Sequence, residues 1–270
     1  MMLLMAKSLN LQSPKALNSD ELDESTGVLI KQRKLAEIVE MISAAYSIHK
    51  SVLNLPYEVP DLTDKESQED LLQLEYGNKI AILGGDYLLA NACVGLADLR
   101  NTYIVEMISI AIGEFTQSEF HGKRDIQGRL IPDEDSISIN AWTQRNKMAS
   151  GSLLASGFKG IGMLIDLPDE LTEKSEKVGR HLALALQAFI ELQPFLDETN
   201  FDNELSLACA PILFHLQKDQ DLLQYVQNCD NDVDNLDMKK VLFDRELALS
   251  ARGPTSGIYA PPPGDLSRSL

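Results

Sequence analysis

Apolar residues recur at three- and four-residue steps through residues 29–54, a pattern that predicts one long amphipathic helix. The apolar positions are Leu35, Ile38, Val39, Ile42, Ala45, Tyr46, His49 and Leu53. This spacing places them on one side of a helix, where they can pack against a core. Pro56 and Pro60 follow, and proline ends a helix because it lacks a backbone N–H. By itself the pattern indicates a buried helix and no particular chemistry.

The same periodicity predicts helices over residues 73–93, 101–121 and 137–165, a helix that begins at Pro168, a short helix within 202–227 and a last helix over 237–250. One face of the helix over 101–121 carries Ile104, Met107, Ile108, Ala111, Ile112 and Phe115. Gly84 and Gly85 lie inside a helical pattern, where each costs about 1 kcal/mol relative to alanine. We therefore expect a neighbouring helix to approach closely there, and Asp86 to hydrogen-bond within the bundle.

Polar and charged stretches separate these helices and occupy both ends of the chain. Residues 1–7 predict the tail of a helix that begins before this chain, and residues 8–28 predict a loop. Residues 122–132 predict an exposed loop whose basic side chains, Lys123, Arg124 and Arg129, are solvated. The proline-rich residues 251–270 predict a disordered tail. The expected layout is all-α: a partial helix and loop over 1–28, a helical bundle over 29–250, and the tail.

Charge and cysteine content narrow the classes of function. The formal net charge is −17, which argues against binding a nucleic-acid backbone or an anionic lipid surface. Cys93, Cys209 and Cys229 are far apart and have no C-x-x-C spacing, which argues against a structural zinc site and fits a reducing compartment. No apolar run of the length of a membrane span is evident, so we expect no transmembrane segment.

Other familiar chemical motifs are absent or incomplete in the sequence. There is no P-loop, no G-x-S-x-G and no H-E-x-x-H. Residues 230–235 resemble the start of a calcium loop, but Asn235 stands in place of the required glycine and Val241 in place of the bidentate glutamate. Each of the four scattered histidines is expected to be structural or exposed, and His49 needs a polar partner because it lies on the apolar stripe.

Residues 73–93 read Q-L-E-Y-G-N-K-I-A-I-L-G-G-D-Y-L-L-A-N-A-C. This segment resembles the G-N-K-x-A-I-L-x-G-D-x-L-L-A-x-A helix of trans-polyprenyl diphosphate synthases. The preceding helix is similar to the one that carries the first metal motif of that family, H-D-D-x-x-D. Here the motif reads His49-Lys50-Ser51-Val52-Leu53-Asn54. The resemblance implies an all-α isoprenoid-synthase bundle, shorter at the N-terminus than the family's.

The substitutions in this motif change what it can bind. In the family, carboxylates one turn apart hold Mg²⁺ ions, which in turn hold the diphosphate leaving group. Mg²⁺ requires hard, charged oxygen ligands in near-octahedral geometry. Lys50 brings a positive charge, Ser51 a neutral hydroxyl and Asn54 a neutral amide. We therefore expect no metal site and no catalytic residue at the end of this helix.

The second metal motif is altered independently of the first. The family reads G-x-x-L-G-x-A-F-Q-x-x-D-D-x-x-D, and Gln187 is in register with its glutamine. The acid positions hold Ile190, Glu191 and Pro194, and the proline is expected to kink the helix. Lys147 matches the lysine of the family's K-T motif, which contacts the diphosphate, although Met148 replaces the threonine. Lys147 and Gln187 are vestigial substrate-binding candidates, and the alternative for Lys147 is a solvated surface lysine.

Within the family, the resemblance over residues 29–217 is closest to the second subunits of heteromeric synthases, which lack the aspartate motifs. It implies a mitochondrial protein that binds no cofactor itself and pairs with a catalytic subunit 1, which carries the motifs and the Mg²⁺, to make the prenyl tail of ubiquinone. The implied assembly is a hetero-oligomer, a heterotetramer in expectation. Two alternatives stay open: a self-sufficient prenyltransferase, and a free-standing helical scaffold or prenyl-ligand binder without a synthase partner.

Overall fold

The computed structural model describes residues 1–55, 65–122, 124, 130, 137–196, 206 and 208–218. The regular elements of this part of the chain are α1 (Met2–Asn10), α2 (Pro14–Leu17), β1 (Leu22–Asp23), β2 (Val28–Leu29), α3 (Ile30–Lys50), α4 (Lys65–Asp98), α5 (Thr102–Ser118), α6 (Ile139–Asn146), a π-helical turn (Lys147–Gly151), α7 (Ser152–Met163), α8 (Asp169–Leu196) and α9 (Ala210–Leu216). The all-α prediction is confirmed, since the strands form only one two-residue antiparallel pair.

The chain divides into two compact units, which we describe separately. The first comprises Met1–Arg129 and Thr143–Gln187, and the second comprises Leu130–Trp142 and Ala188–Leu270. In the first unit α3 packs along α4, and α7 packs against α1, α3 and α5. In the second unit the described residues are mainly the end of α8 and α9.

The core of the first unit is built from the apolar faces that the sequence predicts. The fully buried large side chains of these faces are Leu35 and Ile38 of α3, Ile104 and Ile108 of α5, and Ile161 of α7. Each such side chain contributes about 1.5–3 kcal/mol relative to an exposed position. The predicted faces of α3 and α5 are confirmed, except that Leu53 is exposed because α3 ends before it.

The prediction of a loop over residues 8–28 is wrong. A helical turn and a small hairpin form there, and Gly27 turns the hairpin with a φ of +69°, which favours glycine. Asn10 and Gln32 join this segment to α3 through two reciprocal amide hydrogen bonds of 2.9 Å. Gln32 also donates to the backbone oxygen of Ile161 at 3.3 Å. Since both amides are buried and satisfied, they fix α1 against α3 and α7.

Several predicted helix boundaries need correction. α3 ends at Lys50 instead of Asn54, because the chain turns at Ser51. The single helix expected over 137–165 is interrupted by the π-helical turn at Lys147–Gly151. α8 continues through Pro194 to Leu196, so the proline does not end the helix where it occurs.

α4 also corrects the expectation about membrane spans. Its portion Gln68–Asp98 is long and apolar enough to cross a membrane by length and composition, and only 22% of its apolar window is buried. Length and composition alone do not decide the matter, because the core helix of a soluble protein passes the same test. The sparse burial of α4 is a separate observation, to which we return.

Some predictions fall on residues outside the described ranges. These are the calcium-loop-like residues 230–235, the last helix over 237–250, the tail over 251–270, and the side chains of Lys123, Arg129 and Cys229.

Candidate functional site

The end of α3 that corresponds to the first metal motif carries an ion-pair cluster. Lys50 lies one turn after Tyr46, so both side chains reach the same neighbour, Glu119, which follows the last residue of α5. The Lys50 Nζ lies 3.0 Å from the Glu119 Oε1, and the Tyr46 hydroxyl donates a hydrogen bond to the same oxygen. The Lys50 ammonium is also 5.4 Å from the centre of the Tyr46 ring, within cation–π range.

Arg124 supplies a second cation to this cluster. Its guanidinium lies 3.3 Å from the Glu119 Oε2, and its Nε donates to the Glu119 backbone oxygen at 2.7 Å. The prediction that Arg124 is a solvated loop residue is therefore wrong. Two cations and one phenol thus surround one carboxylate, where the family's motif gathers carboxylates.

The cluster shifts the pKa values of its two acidic groups in opposite directions. Burial alone would raise the pKa of Glu119, but hydrogen bonds from Tyr46 and Lys50, with the charges of Lys50 and Arg124, hold it below its ordinary value of 4.5. Burial, together with the hydrogen bond to Glu119, raises the pKa of the Tyr46 hydroxyl well above its ordinary value. The carboxylate is therefore ionised and the phenol protonated at neutral pH.

His49, at the histidine position of the first motif, faces α4. Its Nε2 lies 3.3 Å from the Ile82 backbone oxygen and 3.4 Å from the Asp86 Oδ1. The predicted polar partner of His49 and the predicted hydrogen-bonding role of Asp86 are confirmed. Gly85 makes this packing possible, since a Cβ there would lie 2.2 Å from the His49 Nε2. The close approach expected at both glycines is confirmed for Gly85 and wrong for Gly84, whose Cβ would meet nothing within 4 Å.

The remaining first-motif positions lie at the turn after α3. The Ser51 hydroxyl donates to the Ile48 backbone oxygen at 2.6 Å, and so closes the helix end instead of facing a ligand. Asn78 of α4 then binds the extended chain through Leu53: its Oδ1 accepts from the Leu53 N–H at 2.9 Å, and its Nδ2 donates to the Leu53 oxygen at 2.7 Å. Asn54 follows directly after this anchored residue, beyond the helix.

Lys147 and Gln187, the two substrate-binding candidates, occupy different helices of the first unit. Lys147 is the first residue of the π-helical turn and is half-buried, so it is not a fully solvated lysine. π-helical turns interrupt the regular hydrogen-bond ladder and are frequent at functional sites. Gln187 is half-buried on α8 and has a polar partner of its own.

Glu191, the acid that remains in the second motif, is bound by two donors within the second unit. Its Oε2 accepts from the Trp142 indole Nε1 at 2.8 Å and from the Ala210 backbone N–H, the first residue of α9, at 2.7 Å. Ile190 beside it is 51% exposed, and Pro194 lies inside α8. Nearby, burial and the charge of Glu191 raise the pKa of the buried Cys209 thiol to about 12, so the thiol stays protonated.

Sequence reasoning missed three residues that shape these places: Glu119, Asn78 and Trp142. Each acts through a partner distant in sequence, and no local motif indicates it. In the described part of the chain, no group of three or more His, Cys, Asp or Glu side chains is placed to hold a metal ion.

Curated relatives resemble this chain over most of its length. It is 33% identical over 205 residues to the human protein named all trans-polyprenyl-diphosphate synthase PDSS2, a match that covers 75% of this chain and 49% of the relative. It is 30% identical over 264 residues to solanesyl diphosphate synthase 3, chloroplastic/mitochondrial, of Arabidopsis thaliana, with 92% and 60% covered. A Yarrowia lipolytica relative at 30% identity is named a probable mitochondrial hexaprenyl pyrophosphate synthase. The chain spans about half the length of the curated relatives it matches.

Solved structures show the same fold. The apo form of an Arabidopsis medium/long-chain length prenyl pyrophosphate synthase superposes with a TM-score of 0.60 at 25% identity, covering 93% of this chain and 73% of that one. The heptaprenyl diphosphate synthase of Staphylococcus aureus superposes with a TM-score of 0.61 at 17% identity, with the same coverage, and so supports the fold alone. No family model matches the chain. The predicted isoprenoid-synthase bundle is confirmed, and the chain belongs to the family of all-trans-polyprenyl diphosphate synthases.

Proposed function

We propose that this chain is the non-catalytic subunit of a heteromeric polyprenyl diphosphate synthase of the decaprenyl type, in mitochondria, where the complex makes the side chain of ubiquinone. Its partner is the catalytic subunit 1, which carries both aspartate motifs and their Mg²⁺. The observation that carries this proposal is the Lys50–Glu119 ion pair, since it occupies the motif position where the family holds metal.

The donor set at the first motif does not fit Mg²⁺. The Lys50 ammonium repels a divalent cation, and the Ser51 hydroxyl is engaged with the backbone of its own helix. Glu119, the carboxylate that reaches Lys50, is also bound to Tyr46 and Arg124, so a metal ion would have to displace these donors. A hard divalent ion needs several free anionic oxygens, and this cluster offers none.

The second motif position supports the same conclusion by a different route. Glu191 retains a carboxylate, but its Oε2 is shared between the Trp142 indole and the N–H of Ala210. The flanking position, Ile190, has no ligand atom. Without metal at either motif the chain has no means of stabilising a departing diphosphate, and enzymes of this kind depend on that stabilisation.

Reconstitution of the complex tests the proposal. The chain and the catalytic subunit from the same organism are expressed separately and together, then incubated with Mg²⁺, farnesyl diphosphate and isopentenyl diphosphate. We expect no product from this chain alone, and at least a tenfold higher rate from the co-purified pair than from the catalytic subunit alone. In the matched control, the pair carries Asp→Ala changes in the aspartate motifs of the catalytic subunit, and its activity is expected to disappear.

Two outcomes would refute this assignment and support an alternative. Turnover by this chain alone would establish a self-sufficient prenyltransferase. Failure to co-purify with the catalytic subunit, with no change in that subunit's rate, would favour a free-standing helical scaffold or prenyl-ligand binder.

A further inference from the structure

α4 carries an apolar stripe that the chain itself does not cover. The stripe, which we call the α4 outer stripe, consists of side chains that are 50–68% exposed: Leu72, Tyr76, Ile80, Leu83, Tyr87 and Val94. Their three-, four- and seven-residue spacing places them along one side of the helix. Gly85, Ala92 and Leu96 lie on the opposite side and are buried. α4 therefore has one side built for the core and one apolar side left open.

The stripe has the dimensions of a protein interface. From Leu72 to Val94 it spans about 33 Å, at 1.5 Å per helical residue. Six large side chains exposed to this extent present on the order of 600 Å² of apolar surface, close to the roughly 800 Å² that each partner buries in a standard interface. Monomeric proteins rarely expose a contiguous apolar patch of this size, and those that do usually bind something with it.

Two glycines beside the stripe point to a helical partner. Gly77 and Gly84 are seven residues apart on one side of α4, and a Cβ on either would meet nothing within 4 Å. Glycine is unfavourable inside a helix, and at Gly85 the contact with His49 accounts for it. No contact within the described chain accounts for Gly77 and Gly84. A helix from another molecule, packed closely against α4, would account for both.

Charge selects among the possible occupants. Around the N-terminal half of the stripe the exposed described side chains include three acids, Glu69, Asp70 and Glu75, against one base, Lys79. The whole chain carries a formal charge of −17. A second copy of this chain, or an anionic membrane, would bring like charges together. A helix whose apolar stripe is bordered by lysine and arginine is complementary.

We propose that the α4 outer stripe, with Gly77 and Gly84 at its border, is the docking surface for an amphipathic, basic-bordered helix of the catalytic subunit. This inference rests on the proposed function, because it identifies where the partner subunit binds. Leu83 and Tyr87 lie at the middle of the stripe, one turn apart, and face the partner most directly. Gly84 between them permits the closest approach of the two helix backbones.

The test uses substitutions in the full chain, purified with the full catalytic subunit. Leu83→Lys with Tyr87→Lys places two charges in the stripe, and Gly84→Leu fills the open space beside it. Each is expected to weaken the complex at least tenfold by analytical ultracentrifugation, with an unchanged far-UV CD spectrum and melting curve. The matched control, Leu74→Lys, changes a 44%-exposed leucine on the opposite side of the same helix and is expected to leave affinity within twofold. Affinity for the wild-type chain is expected to fall as salt is raised.

Failure of the inference is distinct from failure of the proposed function. If the wild-type pair forms and the stripe variants bind as tightly as Leu74→Lys, the docking surface lies elsewhere and the subunit assignment stands. Disruption by the stripe variants of a dimer of this chain alone, with the hetero-complex intact, identifies a second copy as the occupant and overturns the proposal. Flotation with vesicles that is lost in these variants, again with the hetero-complex intact, identifies a membrane instead. Absence of any complex with the wild-type chain overturns both.

Discussion

The two altered motif positions, at the end of α3 and near the end of α8, have become structural in opposite ways. At α3 the side chain changed sign, and Lys50 is neutralised by Glu119 from the end of α5. At α8 an acid remains, and Glu191 binds two neutral N–H donors instead of a cation. A carboxylate of a metal motif can therefore lose its role either by replacement or by being engaged elsewhere. Only the first change is visible in the sequence.

The largest predicted effect is at the retained acid. Glu191→Ala leaves the Trp142 indole N–H and the Ala210 N–H without an acceptor, and both residues are buried. We expect a loss of about 2–3 kcal/mol in the free energy of unfolding, because two buried donors lose their partner. Urea unfolding followed by fluorescence measures this directly, since Trp142 is the chain's single tryptophan. The control is Glu173→Ala, an exposed glutamate on the same helix. An equal, small effect of both changes would contradict the contact.

The next effect is at the counter-charge of the first motif. Glu119→Ala removes the acceptor of the Tyr46 hydroxyl and the anion that faces Lys50 and Arg124. We expect a loss of about 1–2 kcal/mol, less than for Glu191→Ala, because Lys50 is half-exposed and can be solvated instead. The measurement is urea unfolding followed by far-UV CD. Glu106→Ala, at an exposed position of α5, is expected to change stability by less than about 0.5 kcal/mol. A loss at Glu119 no larger than this would show that the cluster is not stabilising.

The sequence predicted the long-period features well and the local details poorly. The buried faces of α3 and α5 follow from periodicity, because Leu35, Ile38, Ile104 and Ile108 each repeat on one helical side. The end of α3 was placed at Asn54, because Ser51 and Asn54 do not themselves break a helix. The structure instead ends it at Lys50, with the next segment anchored by Asn78.

Contacts distant in sequence explain what could not be predicted at the candidate site. The expected polar partner of His49 was correct in kind, since a half-buried imidazole needs one, but its identity required the packing of α3 on α4. Glu119 carries no local signal, because a glutamate after an amphipathic helix is ordinary. Gly84 and Gly85 are adjacent and were given one explanation, yet only Gly85 faces α3. A helix rotates by about 100° per residue, so neighbours in sequence face different surroundings.

A smaller effect is expected from neutralising the replacement itself. Lys50→Met removes one half-exposed cation, while Arg124 and Tyr46 still bind Glu119. Exposed or half-exposed ion pairs contribute little, so we expect a loss of about 0.5 kcal/mol, below that of Glu119→Ala. Unfolding in urea measures it, and Lys79→Met on α4, an exposed lysine, is the matched control. A loss as large as that from Glu119→Ala would mean that Lys50 alone holds the cluster together.

The smallest effect distinguishes the two positions by pH. The pKa of Glu119 is lowered in the folded state, so its stabilisation is complete above the ordinary value of 4.5 and is lost as pH falls through the folded value. Glu119→Gln mimics the protonated acid. The free-energy difference between wild type and Glu119→Gln should therefore shrink from pH 7 to pH 3, measured by urea unfolding at each pH. A difference that stays constant or grows on acidification would mean that Lys50 and Arg124 do not stabilise the ionised form, and that the first-motif position is held by packing alone.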